Sequence, residues 1–336
     1  MFHNVRGELR TALELAGECL RLAEQTNDEG LLLAAHQGVG VPCLYRGEFV
    51  RARAALVQGL ALSQPQPHAQ TLVSGGLNPR VVSRAQIARV LWFLGYPEQA
   101  LTRMDEALRL VRELGHPFGL ANAFLLAASF HTEWEDGRLA QEHADAGVAL
   151  ASEQGFLTHL ALGTIYRGEV LLAQEQWAEG VAQVRQSLEA YAGKLTRTMG
   201  LTWLARGYGG VGQMEDGLAA VAEALRLVEK NDERFYEAEV YRVKGELTLQ
   251  SKVQGPKSKV EEEAEECFPK AVEIAQKQQA KSLELRAVMS LARLWQSQGK
   301  TTEARQMLAE IYGWFTEGFE TKDLQEAKVL LEELSP

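Results

Sequence analysis

Along most of the chain, apolar residues recur at three- and four-residue intervals with Glu, Arg, Lys or Gln between them. This is the pattern of helices that bury one face. The segments "PEQALTRMDEALRLVREL", "GRLAQEHADAGVALASEQ", "QMEDGLAAVAEALRLVEK" and "EAEECFPKAVEIAQKQ" carry it most plainly. Short helix-breaking turns precede such segments. A small residue stands five positions after each turn, and another follows seven positions later.

The pairs are Ala12 and Cys19, Ala52 and Gly59, Ala100 and Ala107, Ala140 and Gly147, Gly180 and Ser187, Gly217 and Ala224, and Ala264 and Ala271. The last, Ala304 and Ile311, departs from the rule at its second member. First members are spaced 40, 48, 40, 40, 37, 47 and 40 residues apart, a period of about forty, as in helical repeats. The two long intervals contain a Pro/Gly/Ser-rich stretch at 63–79 and "SKVQGPKSKV" at 251–260, which read as inserted loops.

Positions i and i+7 share a helix face, and small side chains there let a neighbouring helix approach closely. The unit is therefore a hairpin of a first and a second helix. The expected architecture is all-α: a right-handed superhelical solenoid of about eight antiparallel helix pairs, one domain over residues 1–336, with loop insertions near 65–79 and 251–260. Pro97 suits a first helical turn, whereas Pro269 falls mid-pattern and predicts a kink. Phe319, Leu324, Ala327, Leu331 and Leu334 predict one apolar side of a C-terminal capping helix near 319–334. At the other end, "MFHNV" is too short for a first helix, so the "GELRTALELAGECLRLAEQ" helix leaves an apolar flank open. Upstream protein, or a second copy in a homo-oligomer, is its expected cover.

Composition agrees with helix, since hydrophobic residues make up 46% of the chain, aromatic residues only 7%, and Pro is scarce. A net charge of −10 opposes a phosphate backbone, which excludes nucleic acid as an expected partner. Cys19, Cys43 and Cys267 form no C-x-x-C pair and no even set; they read as buried small hydrophobes in a reducing compartment. A basic start followed by an apolar leader is missing from the first residues, and no run of about 18 apolar residues occurs. The expectation is a soluble, cytoplasmic protein with no membrane partner.

Several patterns imitate chemistry. Gly207, Gly209 and Gly212 match G-x-G-x-x-G, but a dinucleotide fingerprint needs a strand before the glycines. Residues 194–208 read as a first helix, with Gly212 at the inter-helix turn like Gly47, Gly95 and Gly299. Gly299, Lys300 and Thr301 imitate a phosphate loop, yet Leu294 stands where its first glycine belongs. His131, Glu133, Glu135 and His143 lack a one-face ligand spacing and read as solvated surface residues. The acidic run Glu261, Glu262, Glu263, Glu265 and Glu266 reads as a helix opening that offsets the dipole. No nucleophile elbow or paired-carboxylate motif is present. No catalytic residue, metal ligand or cofactor is assigned.

Leu201, Leu204, Ala205 and Tyr208, followed by Gly217, Val221 and Ala224, resemble a tetratricopeptide repeat with slightly lengthened helices. "VRGEL", "NPRVVSRAQIARVLWFLGYPEQAL", "ERFYEAEVYRVKGEL" and the segment from Ala280 to Leu334 resemble the C-terminal repeat region of large bacterial signalling proteins. In that family a nucleotide-cyclase or other effector module and a predicted ATPase precede the repeats. No residue of this chain matches those catalytic modules. The resemblance implies a non-catalytic scaffold, the regulatory or partner-binding arm of a signalling protein, with a protein, a peptide or an upstream cyclase/ATPase module as partner. A small-molecule sensor with a ligand in the concave groove is the alternative.

First helices line the concave surface of such arrays. The register places Arg89, Trp92, Asn122, Glu169, Arg206, Arg242, Glu246, Arg293 and Gln296 there as candidate binding residues. Trp92 also suits a core, as Trp203 and Trp295 do. In the fourth repeat this register puts Arg167 in a core position, which points to a one-position slip there; such a slip turns each side chain by roughly 100°.

Overall fold

The computed structural model describes residues 8–26, 28–62, 77–191, 193–251 and 257–335, with side chains from 262 onward in the last stretch. "MFHNV" and most of the two expected insertions, 63–76 and 252–256, lie outside the described residues. Sixteen helices and no strand occur among those described. They are α1 (Leu9–Thr26), α2 (Glu29–Tyr45), α3 (Phe49–Leu62), α4 (Pro79–Phe93), α5 (Pro97–Leu114), α6 (Pro117–Glu133), α7 (Gly137–Gln154) and α8 (Leu157–Ala173). Then follow α9 (Trp177–Ala190), α10 (Arg197–Gly210), α11 (Met214–Asn231), α12 (Glu237–Gln250), α13 (Lys257–Gln278), α14 (Lys281–Ser297), α15 (Thr301–Tyr312) and α16 (Lys322–Glu333).

Beginning at α2, the helices pair as hairpins, and α16 closes the array. Local chemistry sets the ends. Asn78 accepts the N–H of Arg80 at 2.9 Å and Asp136 that of Leu139 at 2.9 Å, which satisfies donors that a helix start leaves unpaired. Pro79, Pro97 and Pro117 occupy first-turn positions. α13 runs through Pro269. Its first turn holds no acid, because the helix begins at Lys257; the acidic run starts a turn later than the sequence reading placed it.

The seven-residue pattern of small residues buries as expected at Ala52 and Gly59, Ala100 and Ala107, and Ala264 and Ala271. The first helix is a correction. There Leu9, Ala16 and Ala23 are buried, while Cys19 is exposed. Ala12, Ala16, Cys19 and Ala23 share one face, and packing against α2 turns its Leu9, Ala16 and Ala23 side inward, which leaves Cys19 at the edge. Cys43 and Cys267 are buried. In α16 Leu324, Ala327, Leu330 and Leu334 face the core, whereas Phe319 precedes the helix and is exposed. No helix among the described residues is long and apolar enough to cross a membrane.

The solenoid closes upon itself. Starts of later first helices sit on the ends of earlier ones. The N–H of Phe235 donates to the carbonyl of Tyr45 at 3.1 Å. Ser282 Oγ donates to the Trp92 carbonyl across 190 residues of sequence. Arg286 Nη2 donates to the Glu133 carbonyl at 2.8 Å. Gly95 serves this seam twice: it takes φ +84° in its turn, and a Cβ there would lie 2.6 Å from Trp314 and 2.8 Å from Lys281. The first turn of the superhelix thus rests on the second.

Candidate functional site: a blind cavity in the first superhelical turn

The second turn plugs the concave bore from one side. What stays open is a cavity of about 480 Å³, lined by α2, α4, α6, α8 and the segment leading into α10. Its wall is apolar through Val41, Val82, Leu125, Leu126, Leu162 and Leu195, with Tyr45, Tyr166 and Tyr191 adding ring faces. Among the described residues, no Asp, Glu, Lys or Arg lines it. Burial lowers the pKa of His159, so this imidazole enters the wall neutral. Gln37, Gln86 and Asn122 supply the amides. Gln86 is 4% exposed, and its Oε1 has no hydrogen-bond partner among the described residues.

Below the cavity lies a charged layer. Arg89, 1% exposed, donates to Tyr45 Oη at 3.3 Å and to Glu133 Oε1 at 3.0 Å. Its guanidinium also sits 5.6 Å from the ring centroids of Tyr45 and Phe235. Such a pair survives burial because each charge is met by the other and by polar or aromatic groups. Arg286 continues the layer: it donates to Asp323 at 2.9 Å, lies 3.4 Å from Glu135 and stacks 5.0 Å from the Trp92 ring. Lys322 reaches Glu135 at 2.9 Å. Glu169 pairs with Arg206; burial nevertheless pushes its carboxyl up to about 7, against the opposing pull of Arg206. Glu239 faces Arg242, Arg286 and Arg206, which outweigh burial and hold it at about 2. Glu233 has no comparable cation. It is fully buried beside Thr196 and Thr198, and burial raises it to about 8.

The nine residues placed on the concave surface from sequence separate into three groups. Asn122 lines the cavity. Arg89, Trp92 and Glu169 are buried, and Arg206, Arg242 and Glu246 are partly enclosed in the charged layer. Arg293 is exposed and pairs with Glu326 at 3.3 Å, and Gln296 is half-buried and does not line the cavity. Arg167 points outward to Asp145 at 2.6 Å, which leaves Tyr166 and Glu169 inside and resolves the register of that repeat.

The cluster around His131 corrects the solvated reading. His131, Glu133 and His143 are buried. They diverge in use: Glu133 turns to Arg89, Glu135 to Arg286 and Lys322, and the two imidazoles stack at 5.3 Å. A sequence signal for the charged layer did exist. Arg89 and Glu133 stand 44 residues apart, and Glu169 and Arg206 stand 37 apart; opposite charges recur at about one repeat. Gln86, Tyr45 and Tyr191 carried no such signal. The glycine-rich stretch is a turn, with Gly212 at φ +78° and Gly207 and Gly209 inside α10. Gly299, at φ +79°, likewise turns the chain before α15.

No protein-family profile and no curated protein sequence matches the chain. Solved structures do. The apo form of the quorum sensor NprR from B. thuringiensis is 13% identical at a TM-score of 0.52, covering 87% of this chain and 79% of that one. A Rap protein complexed with competence and sporulation factor is 9% identical at 0.51, covering 91% and 98%. Yeast Tom70 is 14% identical at 0.46; the match covers 97% of this chain, which spans 58% of Tom70's length. At these identities the likeness is one of fold. The neighbours are tetratricopeptide-repeat proteins, and this chain is a helical-repeat solenoid of the tetratricopeptide type.

Proposed function

We propose that the chain is a non-catalytic regulatory repeat domain, the sensing or partner-recognising arm of a bacterial signalling protein, and that it takes its ligand in the first-turn cavity. One observation carries this reading. Tyr45 lines the cavity and also holds the seam, through its carbonyl to Phe235 and its hydroxyl to Arg89. A ligand against Tyr45 therefore bears on the contact that closes the superhelix, which gives binding a route to a change of shape. The quorum sensor NprR and the Rap complex share the fold, which supports a regulatory role. A second reading, docking of a neighbouring module or a second copy, draws on the exposed Leu15, Leu22 and Leu31 at the open N-terminal end.

The test is a thermal-shift screen of the purified chain against peptides and neutral small molecules, with hits followed by amide exchange. Hits that protect residues 231–240 and are lost in Leu126→Trp support the reading. Hits that bind this variant unchanged and leave the seam unprotected oppose it.

A further inference from the structure

The cavity's chemistry narrows its ligand, provided the cavity is the binding site as proposed above. About 480 Å³ lies within the roughly 300–1,000 Å³ range of sites for compact organic ligands. Among the described residues its wall has no Asp, Glu, Lys or Arg, although the chain has 80 of them and a dense charged layer lies behind Tyr45. A charged ligand would lose its hydration there and meet no counter-charge among those residues. A neutral, apolar one gains from the leucines, valines and tyrosines it covers.

Shape points the same way. Tyr45 and Tyr166 of its wall are buried, and Arg89 and Phe235 pack against Tyr45. An extended peptide running on along the first helices would meet Trp92 and Glu169, both buried. A compact molecule meets neither. We propose that the cavity binds a compact, uncharged, mainly apolar small molecule.

Two fluorescent probes with one skeleton test this. Phenyl-naphthylamine is neutral, apolar and carries one N–H, and anilinonaphthalene sulfonate adds an anionic group. The proposal expects saturable, one-to-one binding of the neutral probe, with the sulfonate at least tenfold weaker. Leu126→Trp and Leu162→Trp, which fill the cavity from α6 and α8, should each abolish neutral-probe binding while the helical circular dichroism is retained. Two walls are used so that one misfolded variant leaves the other as the test.

Equal binding of both probes, blocked by the Trp variants, would overturn the ligand class and keep the cavity as the site. Displacement of the probe by capped apolar octapeptides but by no single neutral molecule would overturn the proposal in favour of a peptide. Neutral-probe binding unaffected by either Trp variant, or no binding at all, would overturn both the ligand class and the choice of cavity.

Discussion

The rings of Tyr45 and Phe235 meet edge to face, with centroids 5.2 Å apart and planes at 82°, while the Phe235 N–H donates to the Tyr45 carbonyl at 3.1 Å. Two superhelical turns are joined at this point, and Tyr45 also lines the first-turn cavity. Phe235 is fully buried. Phe235→Ala is expected to destabilise the chain by about 3–5 kcal/mol, the usual cost of a cavity left by a buried aromatic ring. Urea unfolding read by circular dichroism measures it. A loss under 1 kcal/mol would mean that the turns do not depend on each other.

Arg89 and Glu133 each neutralise a charge that has no access to water. Arg89→Leu leaves the Glu133 carboxylate buried alone, and a loss of about 3–5 kcal/mol is expected. Adding Glu133→Leu should restore most of it, because two apolar groups of similar volume replace the pair. A double-mutant cycle in chemical denaturation gives the coupling; additive losses would show that the two side chains act separately.

Stability should fall as the medium becomes alkaline. Burial raises the Glu233 carboxyl from an ordinary 4.5 to about 8, so between those values the folded chain holds a proton that the unfolded chain has released. Its contribution is complete below pH 4.5 and is lost as pH rises through about 8. Glu233→Gln keeps the neutral shape and removes the titration. Melting curves from pH 6 to 9 should show the wild type losing ground to this variant; parallel curves would refute the assignment.

Turns between hairpin helices adopt a left-handed residue, supplied by glycine at Gly47, Gly95, Gly212 and Gly299 but by Glu135 and Glu175 in two repeats. A side chain in that region costs roughly 1–2 kcal/mol. Glu175 is exposed, so Glu175→Gly should stabilise by about 1 kcal/mol after glycine's own entropy is counted. Glu135 pairs with Arg286 and Lys322, and Glu135→Gly should destabilise instead. Equal effects in thermal melts would contradict this account.

Much of the fold was legible because its cause is local. Ala52 and Gly59, or Ala100 and Ala107, report helix-to-helix contact within some forty residues, and Gly212 and Gly299 mark turns that follow from backbone sterics. The slip in α1 has a local cause too, since Ala12, Ala16, Cys19 and Ala23 form one broad small-residue face and the pattern does not say which edge of it turns inward. The seam was not legible. Trp92 meets Ser282 through the pitch of the whole superhelix, a quantity that no forty-residue pattern encodes. For the same reason Glu133 read as solvated and Arg89 as a groove residue, although the second turn buries both. The cavity was invisible because it is the remainder of a groove after that turn has closed it.

The closure of the first turn by the second is the claim on which the cavity, the buried charges and the proposed signal all depend. It is tested most directly at an exposed point of the seam, where the Gln99 amide and the Glu317 carboxylate lie 3.0 Å apart across 218 residues of sequence. In a Cys19→Ser background, Gln99→Cys with Glu317→Cys should cross-link to each other nearly completely with a short bismaleimide under native conditions, and this cross-link should fail to form when the reagent is added in urea. A folded, helical double variant that stays uncross-linked would show an open solenoid and contradict the account.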